Sequence, residues 1–365
     1  MKLGIDVRPF SYGYTGNSRY LEEVLKRIIP KHKETTFYLY SNKAIHPVFV
    51  YFQEFENVKL RIANKTVPGP IYLNFLLPFI LKRDGIERFW GTLQMLPWKK
   101  LSIPCFVNYH DLNFISAPQT MNPWNYWQHR ILSPNTMRNA DRIFCLSQNT
   151  QNEIVQHFPE NRSKCTVIYP GVTKPKVSNQ FVLPKDYFLT IGTLEPRKNI
   201  KRLVEAFQQF RGLFPNSHFK LLVLGRKGWG TEGEDLYQYL HSDQAKQDSI
   251  HFFESPEEEF LREAIQKCKV FFFPSLHEGF GLPLLEAMIE NKKCVASNIP
   301  VFREILETGN DLYVDANDTN AWRDAFVTVS KYKSFTRNPK FNPKIWSWDA
   351  TAKLLEKEIF QNEMV

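Results

Sequence analysis

The sequence predicts an α/β protein made of two doubly wound domains, and three observations support this prediction. Short apolar runs that suit buried strands alternate with helical segments of about 10–15 residues, as parallel strands with crossover connections require. A polar segment without a clear period, 172–184, interrupts this alternation near the middle of the chain and is the predicted linker. At 365 residues the chain also has the length of two domains. We therefore expect two parallel sheets, each covered by helices on both faces.

Strands and helices are predicted on both sides of the linker, and the alternation of the two starts afresh after it. In the first half the strands are predicted at 2–7, 37–40, 87–90, 105–109, 142–146 and 165–169, and the helices at 19–29, 124–139 and 151–157. After the linker the strands are predicted at 187–191, 219–224, 250–253, 270–273, 294–297 and 312–314. The helices between them are predicted at 199–214, 235–241, 257–267, 281–290, 302–307 and 319–330, with Asn199 as the N-cap of the first. Each half thus has enough strands for a sheet of its own.

Positive charge is concentrated in the first half of the sequence. Residues 1–172 contain 21 basic residues (Lys and Arg) and 12 acidic residues (Asp and Glu). Residues 173–365 contain 26 basic and 26 acidic residues, so the net charge of +9 arises in the first half. This excess indicates either a solvated basic face or a surface for anionic lipid. Nucleic acid is not an expected partner, because no recognition motif accompanies the charge.

The cysteines and the apolar segments bear on where the protein works. The five cysteines are scattered and show no CxxC pairing, which favours a reduced, cytoplasmic setting. The first ten residues are typical of a strand, and not of a signal peptide. The apolar segment 71–81 is too short to span a bilayer. With Lys82 and Arg83 after it, this segment is either a packing helix or a helix lying on a membrane surface.

The most informative stretch follows the predicted strand 270–273. Pro274 and Ser275 end the strand, two glycines then bracket Phe280, and Leu282-Pro283 begins a helix. A glycine loop between a strand and a helix N-terminus lets backbone N–H groups face an anion. Glu278 and Glu286 flank this loop with seven residues between them. The pattern predicts a site for an anion that also carries hydroxyl groups.

A second stretch, GTLEPRKN at 192–199, lies between a strand and the start of the next helix. Arg197 and Lys198 there oppose the positive end of the helix dipole unless an anion is bound, at a cost of roughly 0.3–1 kcal/mol per charge. The alternative is that they are two ordinary surface cations. A diphosphate would explain both, because Arg binds phosphate bidentately and Lys acts as a point charge.

Together, EGFGLPxxE at 278–286 and GTLEPRKN resemble the signatures of family 4 glycosyltransferases, in particular bacterial mannosyltransferase-like members. The resemblance extends over nearly the whole chain, with His110-Asp111-Leu112, Ser147, the segment 170–172 and the segment 346–350 in the family's order. It implies the GT-B fold, with two Rossmann-like domains facing a central cleft. Residues 1–172 would form the acceptor-binding domain and 173–344 the donor-binding domain. The last helix, about 345–365, would cross back to the first domain.

The resemblance also implies roles for individual residues. Glu286 would bind the ribose hydroxyls and Glu278 the donor sugar, while Arg197 and Lys198 would stabilise the departing diphosphate. His110 would approach the sugar from the first domain. The catalytic candidates are Glu278, His110, Arg197 and Lys198. The donor-binding candidates are Gly16, Asn17, Thr193, Arg197, Lys198, Glu278, Gly279, Phe280, Gly281, Leu282 and Glu286.

Two departures from the family pattern accompany these roles. In the loop after the first strand, where Gly16 would let the backbone approach the diphosphate, Ser18 stands at the position of the family's second glycine. Close approach of that backbone is then less favoured, and Asn17 is expected to contact substrate directly. Thr193 stands where some family members have Arg, which leaves the phosphate contacts to Arg197 and Lys198.

The implied function is retaining transfer of a hexose to a saccharide or lipid-linked saccharide in bacterial surface glycan (lipopolysaccharide) synthesis. The expected hexose is mannose, with GDP-mannose as its donor. No Asp-x-Asp triplet or ligand cluster is present in the sequence, so neither a metal nor a further cofactor is expected. The retaining step could use a carboxylate nucleophile or same-face attack, and the sequence leaves both open. A peripheral contact of the basic half with the inner face of an anionic membrane is also expected. The alternatives are another GT-B enzyme, such as a nucleotide-sugar epimerase, and a catalytically silent binding protein.

Overall fold

The computed structural model describes residues 1–63, 65–174, 180–306, 311–336 and 344–361. The chain divides into two compact units. The first unit contains Met1–Leu112, Trp127–Gly171 and Pro343–Val365, and the second contains Asn113–Tyr126 and Val172–Asn342. The predicted boundary at 172/173 differs from this division in one segment, because Asn113–Tyr126 belongs to the second unit.

The first unit is built on a sheet of seven parallel strands. The strands are β1 (Lys2–Asp6), β2 (Thr36–Ser41), β3 (Val58–Ile62), β4 (Arg88–Gly91), β5 (Cys105–Tyr109), β6 (Arg142–Cys145) and β7 (Cys165–Val167). Their order is β3-β2-β1-β4-β5-β6-β7, and every neighbouring pair is parallel. The sequence did not predict β3, because this edge strand is only partly buried and lacks a continuous apolar run.

The second unit is built on six parallel strands in the order β10-β9-β8-β11-β12-β13. These strands are β8 (Tyr187–Ile191), β9 (Lys220–Gly225), β10 (Ile250–Glu254), β11 (Val270–Phe273), β12 (Lys293–Ser297) and β13 (Leu312–Val314). Aromatic rings fill the space between sheet and helices, with the ring of Phe272 stacked on that of Phe326 at 4.2 Å and Phe188 in edge contact with Phe272 at 5.4 Å. The central strands β8 and β11 are almost completely buried, as expected of a sheet covered on both faces. The prediction of an α/β protein with two doubly wound sheets is confirmed.

Helices connect the strands throughout the described residues. They are α1 (Gly16–Ile28), α2 (Gly69–Ile71), α3 (Leu77–Asp84), α4 (Asn113–Ser116), α5 (Pro123–Asn139), α6 (Gln148–His157), α7 (Ile200–Leu213), α8 (Thr231–Leu240), α9 (Asp243–Gln247), α10 (Glu258–Lys267), α11 (Leu282–Ile289), α12 (Pro300–Leu306), α13 (Thr319–Ser330) and α14 (Trp348–Glu356). A π-helical turn, Tyr72–Leu76, joins α2 to α3. Most ends agree with the sequence prediction to within three residues, and the predicted linker 172–184 lies partly outside the described residues.

The start of α1 corrects the prediction of a loop around Gly16 and Asn17. The Thr15 hydroxyl accepts a hydrogen bond from the Ser18 N–H at 3.2 Å, and the Ser18 hydroxyl accepts one from the Thr15 N–H at 2.7 Å. This reciprocal capping satisfies two backbone donors that a helix start otherwise leaves unpaired. Gly16 and Asn17 are therefore the first two residues of a helix.

The final helix α14 packs within the first unit. Thr351 donates a hydrogen bond from its hydroxyl to the Tyr169 carbonyl at 2.7 Å, and the Arg27 Nε donates to Asp349 at 2.7 Å. A side chain at Gly171 would come within 2.1 Å of the Trp348 nitrogen, so only glycine allows this approach. None of the helices within the described ranges combines the length and the apolar character needed to cross a bilayer.

Candidate active site

The two sequence stretches singled out above leave the second sheet at neighbouring strands. β8 and β11 are adjacent and parallel, with Phe188 opposite Val270, although some eighty residues separate them in the chain. The strand order reverses between them, since β9 follows β8 on one side and β12 follows β11 on the other. Ligands of open α/β sheets bind at such a reversal, beyond the carboxyl ends of the strands. The loops 192–199 and 274–281 both lie at that edge.

The Glu278 carboxylate is held by two cations and a hydroxyl. Arg197 Nη1 donates to Glu278 Oε2 at 2.7 Å, and Lys198 Nζ donates to Oε1 at 2.5 Å. The Ser275 hydroxyl also donates to Oε1, at 2.8 Å. Glu278 is only 6% exposed, so these are charge-assisted bonds in a largely desolvated place. The structure thus brings together three of the four predicted catalytic residues.

The protonation state of Glu278 follows from these contacts. Burial opposes ionisation, but Lys198 and Arg197 outweigh it and lower the pKa of Glu278 to about 2. The carboxylate is therefore ionised at neutral pH. It accepts hydrogen bonds at both oxygens, and the charge of the two cations is partly balanced before any ligand arrives.

A second carboxylate, Glu195, completes the cluster and was not among the predicted site residues. It is 6% exposed, and its Oε1 accepts a hydrogen bond from Arg197 Nη2 at 2.7 Å. Burial raises the pKa of Glu195, with Arg197 acting in the opposite direction. In the sequence, Glu195 was indistinguishable from a surface acid beside two bases. Its burial is what makes it part of the site.

Backbone bonds hold the two loops against each other. The Leu276 N–H donates to the Arg197 carbonyl at 2.8 Å, and Arg197 Nη1 donates to the His277 carbonyl at 3.1 Å. Asn199 was expected to cap α7 with its side chain, and that prediction is wrong. Its side-chain amide instead donates to the carbonyls of Pro274 at 3.0 Å and Ala316 at 2.7 Å, tying together the loops after β8, β11 and β13.

Two glycines, Gly225 and Gly228, make room for the loop after β8. Neither was predicted as a site residue. A side chain at Gly225 would come within 1.9 Å of the Gly192 carbonyl oxygen, and one at Gly228 within 2.1 Å of the Leu194 oxygen. Glycine is therefore required for these backbones to approach so closely. The three glycines in the run 225–230 are visible in the sequence. The sequence does not show that two of them approach the backbone of the loop after β8.

The loop after β11 ends in a glycine with a positive φ. Gly281 has φ = +115°, and a side chain there would lie 3.1 Å from the Phe302 ring and 3.2 Å from the Phe273 ring. It directly precedes Leu282, the first residue of α11. Gly279 and Phe280 are buried in the loop, whereas Glu286 is half-buried in the second turn of the helix.

A cavity of about 360 Å³ opens beside this loop within the second unit. Its lining is mostly polar and consists of Ser116, Ala117, Gln119, Leu276, Asn298, Ile299, Asp315, Ala316 and Asn317. Hydroxyl, amide and carboxylate groups of this kind suit a ligand with several hydroxyls. Thr193, the remaining predicted residue of this unit, is half-buried in the loop after β8, where its carbonyl accepts a bond from the Glu195 N–H at 2.8 Å.

The other predicted site residues lie in the first unit. Gly16 and Asn17 begin α1, and His110 directly follows β5. His110 Nε2 is 2.9 Å from the Thr92 carbonyl, which can only accept, so this nitrogen carries the proton. Nδ1 is then a bare acceptor, buried and without a hydrogen-bond partner among the described residues. Burial lowers the pKa of His110, which keeps the ring neutral at pH 7.

Two family models match the chain. Residues 173–339 match "Glycosyl transferases group 1", and residues 62–174 match "Glycosyltransferase Family 4". The two matches follow each other along the chain and together span more than three quarters of it. The chain therefore carries a family 4 glycosyltransferase domain followed by a group 1 glycosyltransferase domain. The family predicted from the sequence motifs is confirmed.

Among curated relatives, the chain is similar to the O-antigen chain mannosyltransferase RfbU of Salmonella typhimurium, with 26% identity over 62% of this chain and 60% of the relative. It is also similar to the O-antigen chain mannosyltransferase B of Escherichia coli, with 28% identity over 59% of this chain and 58% of the relative. The matched part therefore spans less than two thirds of these relatives.

Among solved structures, the chain is similar to Anabaena Alr3699/HepE in complex with UDP and glucose. The TM-score is 0.66 at 16% identity, covering 99% of this chain and 95% of that one. At this identity the likeness concerns the fold alone. It shows that both units belong to the GT-B architecture.

Proposed function

We propose that this protein is a retaining glycosyltransferase that moves a hexose from a nucleotide diphosphate sugar to a saccharide or lipid-linked saccharide. The observation that supports it best is the buried Glu278 carboxylate, paired with Arg197 and Lys198 at the reversal point of the second sheet. Family membership gives this cluster its context. The proposed setting is bacterial surface glycan synthesis in the cytoplasm, at the inner face of the membrane.

The cluster suits the charge that develops in this reaction. When the bond between the anomeric carbon and the diphosphate breaks, its electron pair stays on the leaving phosphate oxygen. Arg197 and Lys198 already have fixed positions, because Glu278 and Glu195 hold them. They can stabilise the new negative charge with little reorganisation, which is the most effective form of electrostatic catalysis. In this proposal Glu278 positions the two cations in addition to facing the donor.

His110 has the properties needed on the acceptor side. Its neutral ring presents Nδ1 as a hydrogen-bond acceptor, while Nε2 is fixed by the Thr92 carbonyl. A nitrogen of this kind can accept the hydrogen of an acceptor hydroxyl as that oxygen bonds to the sugar. No metal or further cofactor is part of the proposal.

The sugar and nucleotide are the finer part of the proposal. Mannose from GDP-mannose is favoured because the two curated relatives above are named mannosyltransferases. UDP-glucose is the competing donor, because the structural neighbour HepE was solved with UDP and glucose. The polar cavity beside the loop after β11 is compatible with the hydroxyls of either ligand.

A thermal-shift screen against GDP-, UDP-, ADP- and dTDP-sugars tests the donor, because a ligand that binds only the folded state raises the melting temperature. We expect GDP-mannose to give the largest shift. A larger shift with another sugar would replace the mannose assignment. If none of the nucleotide sugars shifts the transition, the proposed function fails.

Glu286→Ala tests the proposed ribose contact. Removing a carboxylate that accepts two hydroxyl hydrogens should weaken nucleotide binding about tenfold to a hundredfold in calorimetry. Glu205→Ala, which removes an exposed carboxylate from α7, is the matched control and should leave affinity unchanged. Equal affinities in the two variants would reject the role of Glu286. Product analysis with and without an acceptor then separates transfer from epimerisation.

A further inference from the structure

A stripe of exposed apolar side chains runs along the helical segment from α2 to α3. Ile71, Phe75 and Phe79 recur every four residues, and the two phenylalanines are 74% and 67% exposed. The opposite face of the same segment is buried, for example at Leu77 and Leu81. The segment thus has one apolar face in the core of the first unit and a second one in solvent. A packing role explains only the first of these faces.

The exposed stripe continues onto neighbouring parts of the first unit. The Trp98 backbone N–H donates to the Asn74 side chain at 2.7 Å, which places the backbone of Trp98, a residue that is 53% exposed, beside the stripe. The Trp98 carbonyl accepts a hydrogen bond from Asn135 of α5 at 2.8 Å. On α5, Trp127 and Ile131 are exposed and precede Asn135 at four-residue intervals. Hydrogen bonds therefore join the two helices through Trp98.

We call this the aromatic surface, formed by Ile71, Phe75, Phe79, Trp98, Trp127 and Ile131. Exposed apolar residues scattered singly need no explanation, but a contiguous set of this size on one unit indicates a binding surface. Lysines adjoin it: Lys82 follows the stripe, and Lys99 and Lys100 follow Trp98. Each is exposed, and within the described residues none of the three forms an ion pair.

We infer that the aromatic surface docks on an anionic lipid bilayer. Tryptophan and phenylalanine flanked by lysines is the composition of segments that lie in a membrane interface, where rings enter the headgroup region and ammonium groups face lipid phosphates. The whole charge excess of the chain lies in residues 1–172, which gives the same complementarity over a longer range. The inference rests on the proposed function only in that a lipid-linked acceptor would be presented at such a surface.

Flotation with phosphatidylcholine vesicles, with and without phosphatidylglycerol, tests the inference on the full chain. We expect binding to the anionic vesicles at low salt and much weaker binding at high salt. Phe75→Ser should lower the partition coefficient about tenfold, because it removes a ring from the interface. The matched control is Leu213→Ser at the end of α7, since Leu213 is another exposed apolar residue (59%) but lies outside the aromatic surface. It should bind vesicles like the unaltered protein.

Two charge-reversal variants distinguish a specific contact of the aromatic surface from attraction by the net charge of the protein. Lys99→Glu and Lys33→Glu change the net charge equally, and both lysines are exposed in the first unit. Lys99→Glu should weaken binding to anionic vesicles about tenfold at low salt, and Lys33→Glu by clearly less. Equal effects of the two variants, or of Phe75→Ser and Leu213→Ser, would overturn the aromatic surface as the contact.

Two further results bear on the same inference. No binding to anionic vesicles at low salt overturns it. So does light scattering that shows a dimer dissociated by Phe75→Ser, because the surface would then cover a second copy of the chain. Donor binding gives the independent readout: Phe75→Ser should retain the thermal shift with nucleotide sugar. Vesicle binding without any nucleotide-induced shift would refute the proposed function and leave this inference standing.

Discussion

The carboxyl-terminal edges of the two sheets differ in how they handle buried polar groups. At the edge of the second sheet, two carboxylates and two cations form one connected cluster around Glu278. At the edge of the first sheet, Asp6 and Arg8 form a closed two-point pair, with Arg8 Nε and Nη2 donating at 2.9 and 2.7 Å. His110 Nδ1 on that edge has no partner among the described residues.

This difference in polar groups indicates which kind of ligand group each sheet edge can bind. A cluster with fixed cations stabilises a charge that appears during reaction, since the positions of its charges are already set. A neutral imidazole with one bare nitrogen is suited to a hydroxyl group, because it can accept a hydrogen bond without bringing in a charge. The two sheets share the order of their first six strands, and the first sheet adds β7 at its edge, so the fold alone does not produce this division. The residues at the strand ends do.

The largest expected effect follows from removing the charge at the centre of the cluster. Glu278→Gln leaves two partly buried cations without their shared partner, and breaking such a network costs about 3–5 kcal/mol of unfolding free energy. Urea unfolding measures this loss. Glu205→Gln on α7 is the exposed control and should cost less than about 0.5 kcal/mol. A loss for Glu278→Gln no larger than for the control would show that the cluster contributes nothing to stability.

His110 tests the other side of the comparison. His110→Ala should lower the rate of transfer about a hundredfold, because positioned general bases contribute on that scale. Donor affinity measured by calorimetry should stay within about twofold, since the second unit keeps its cluster. His157→Ala at the exposed end of α6 is the control. A parallel loss of donor affinity and rate would contradict the division of labour between the edges.

The cations are expected to act on the diphosphate. Arg197→Ala should weaken nucleoside diphosphate binding about tenfold to a hundredfold, because hydrogen bonds to charged groups carry about 1.5–3 kcal/mol. Lys201→Ala removes a cation from the first turn of α7 that forms no ion pair within the described residues, and should change affinity little. Calorimetry with the nucleoside diphosphate gives both values. Equal losses of affinity in the two variants would show that Arg197 acts only through its positive charge and not through a specific contact with the diphosphate.

The free energy of unfolding should depend on pH in the acidic range because of Glu278. Its pKa of about 2 in the folded protein lies below the ordinary 4.5, so the ionised carboxylate stabilises the fold fully above pH 4.5. That contribution, roughly 3 kcal/mol, is lost as the pH falls from 4.5 towards 2. Urea unfolding across this range should show a shallower pH dependence in Glu278→Gln than in the unaltered protein. Identical slopes would contradict the depressed pKa.

The smallest expected effect concerns two glycines with opposite outcomes. Gly281→Ala should destabilise the protein by about 1–3 kcal/mol, because φ = +115° is strained for any side chain and two aromatic rings lie close by. Gly212→Ala in α7 has open space around it and should stabilise by about 0.5–1 kcal/mol. Thermal unfolding of both variants checks the signs. A stable Gly281→Ala variant would mean that the loop can relax.

Much of the fold was predictable because buried parallel strands leave a strong local pattern. Val270–Phe273 is apolar at every position, and its flanking Pro274 and the helix start at Leu282-Pro283 mark where the chain must turn. The edge strand β3 was missed for the same reason in reverse, since exposed positions interrupt its apolar residues. The segment Asn113–Tyr126 could not be assigned to a unit from sequence, because its own composition does not specify which surface it covers.

At the candidate site, the residue types at the strand ends and their family pattern could be read from the amino-acid sequence alone. It supplied Glu278, Arg197 and Lys198 as candidates without showing that they touch. Only the tertiary structure decided that β8 and β11 are neighbours, that Glu195 joins the cluster and that Asn199 ties loops instead of capping a helix. Two of these three contacts join residues about eighty positions apart. Glu195 lies close to Arg197 in the chain, but its burial, like that of the other contacts, is a property of the packed sheet and not of the local sequence.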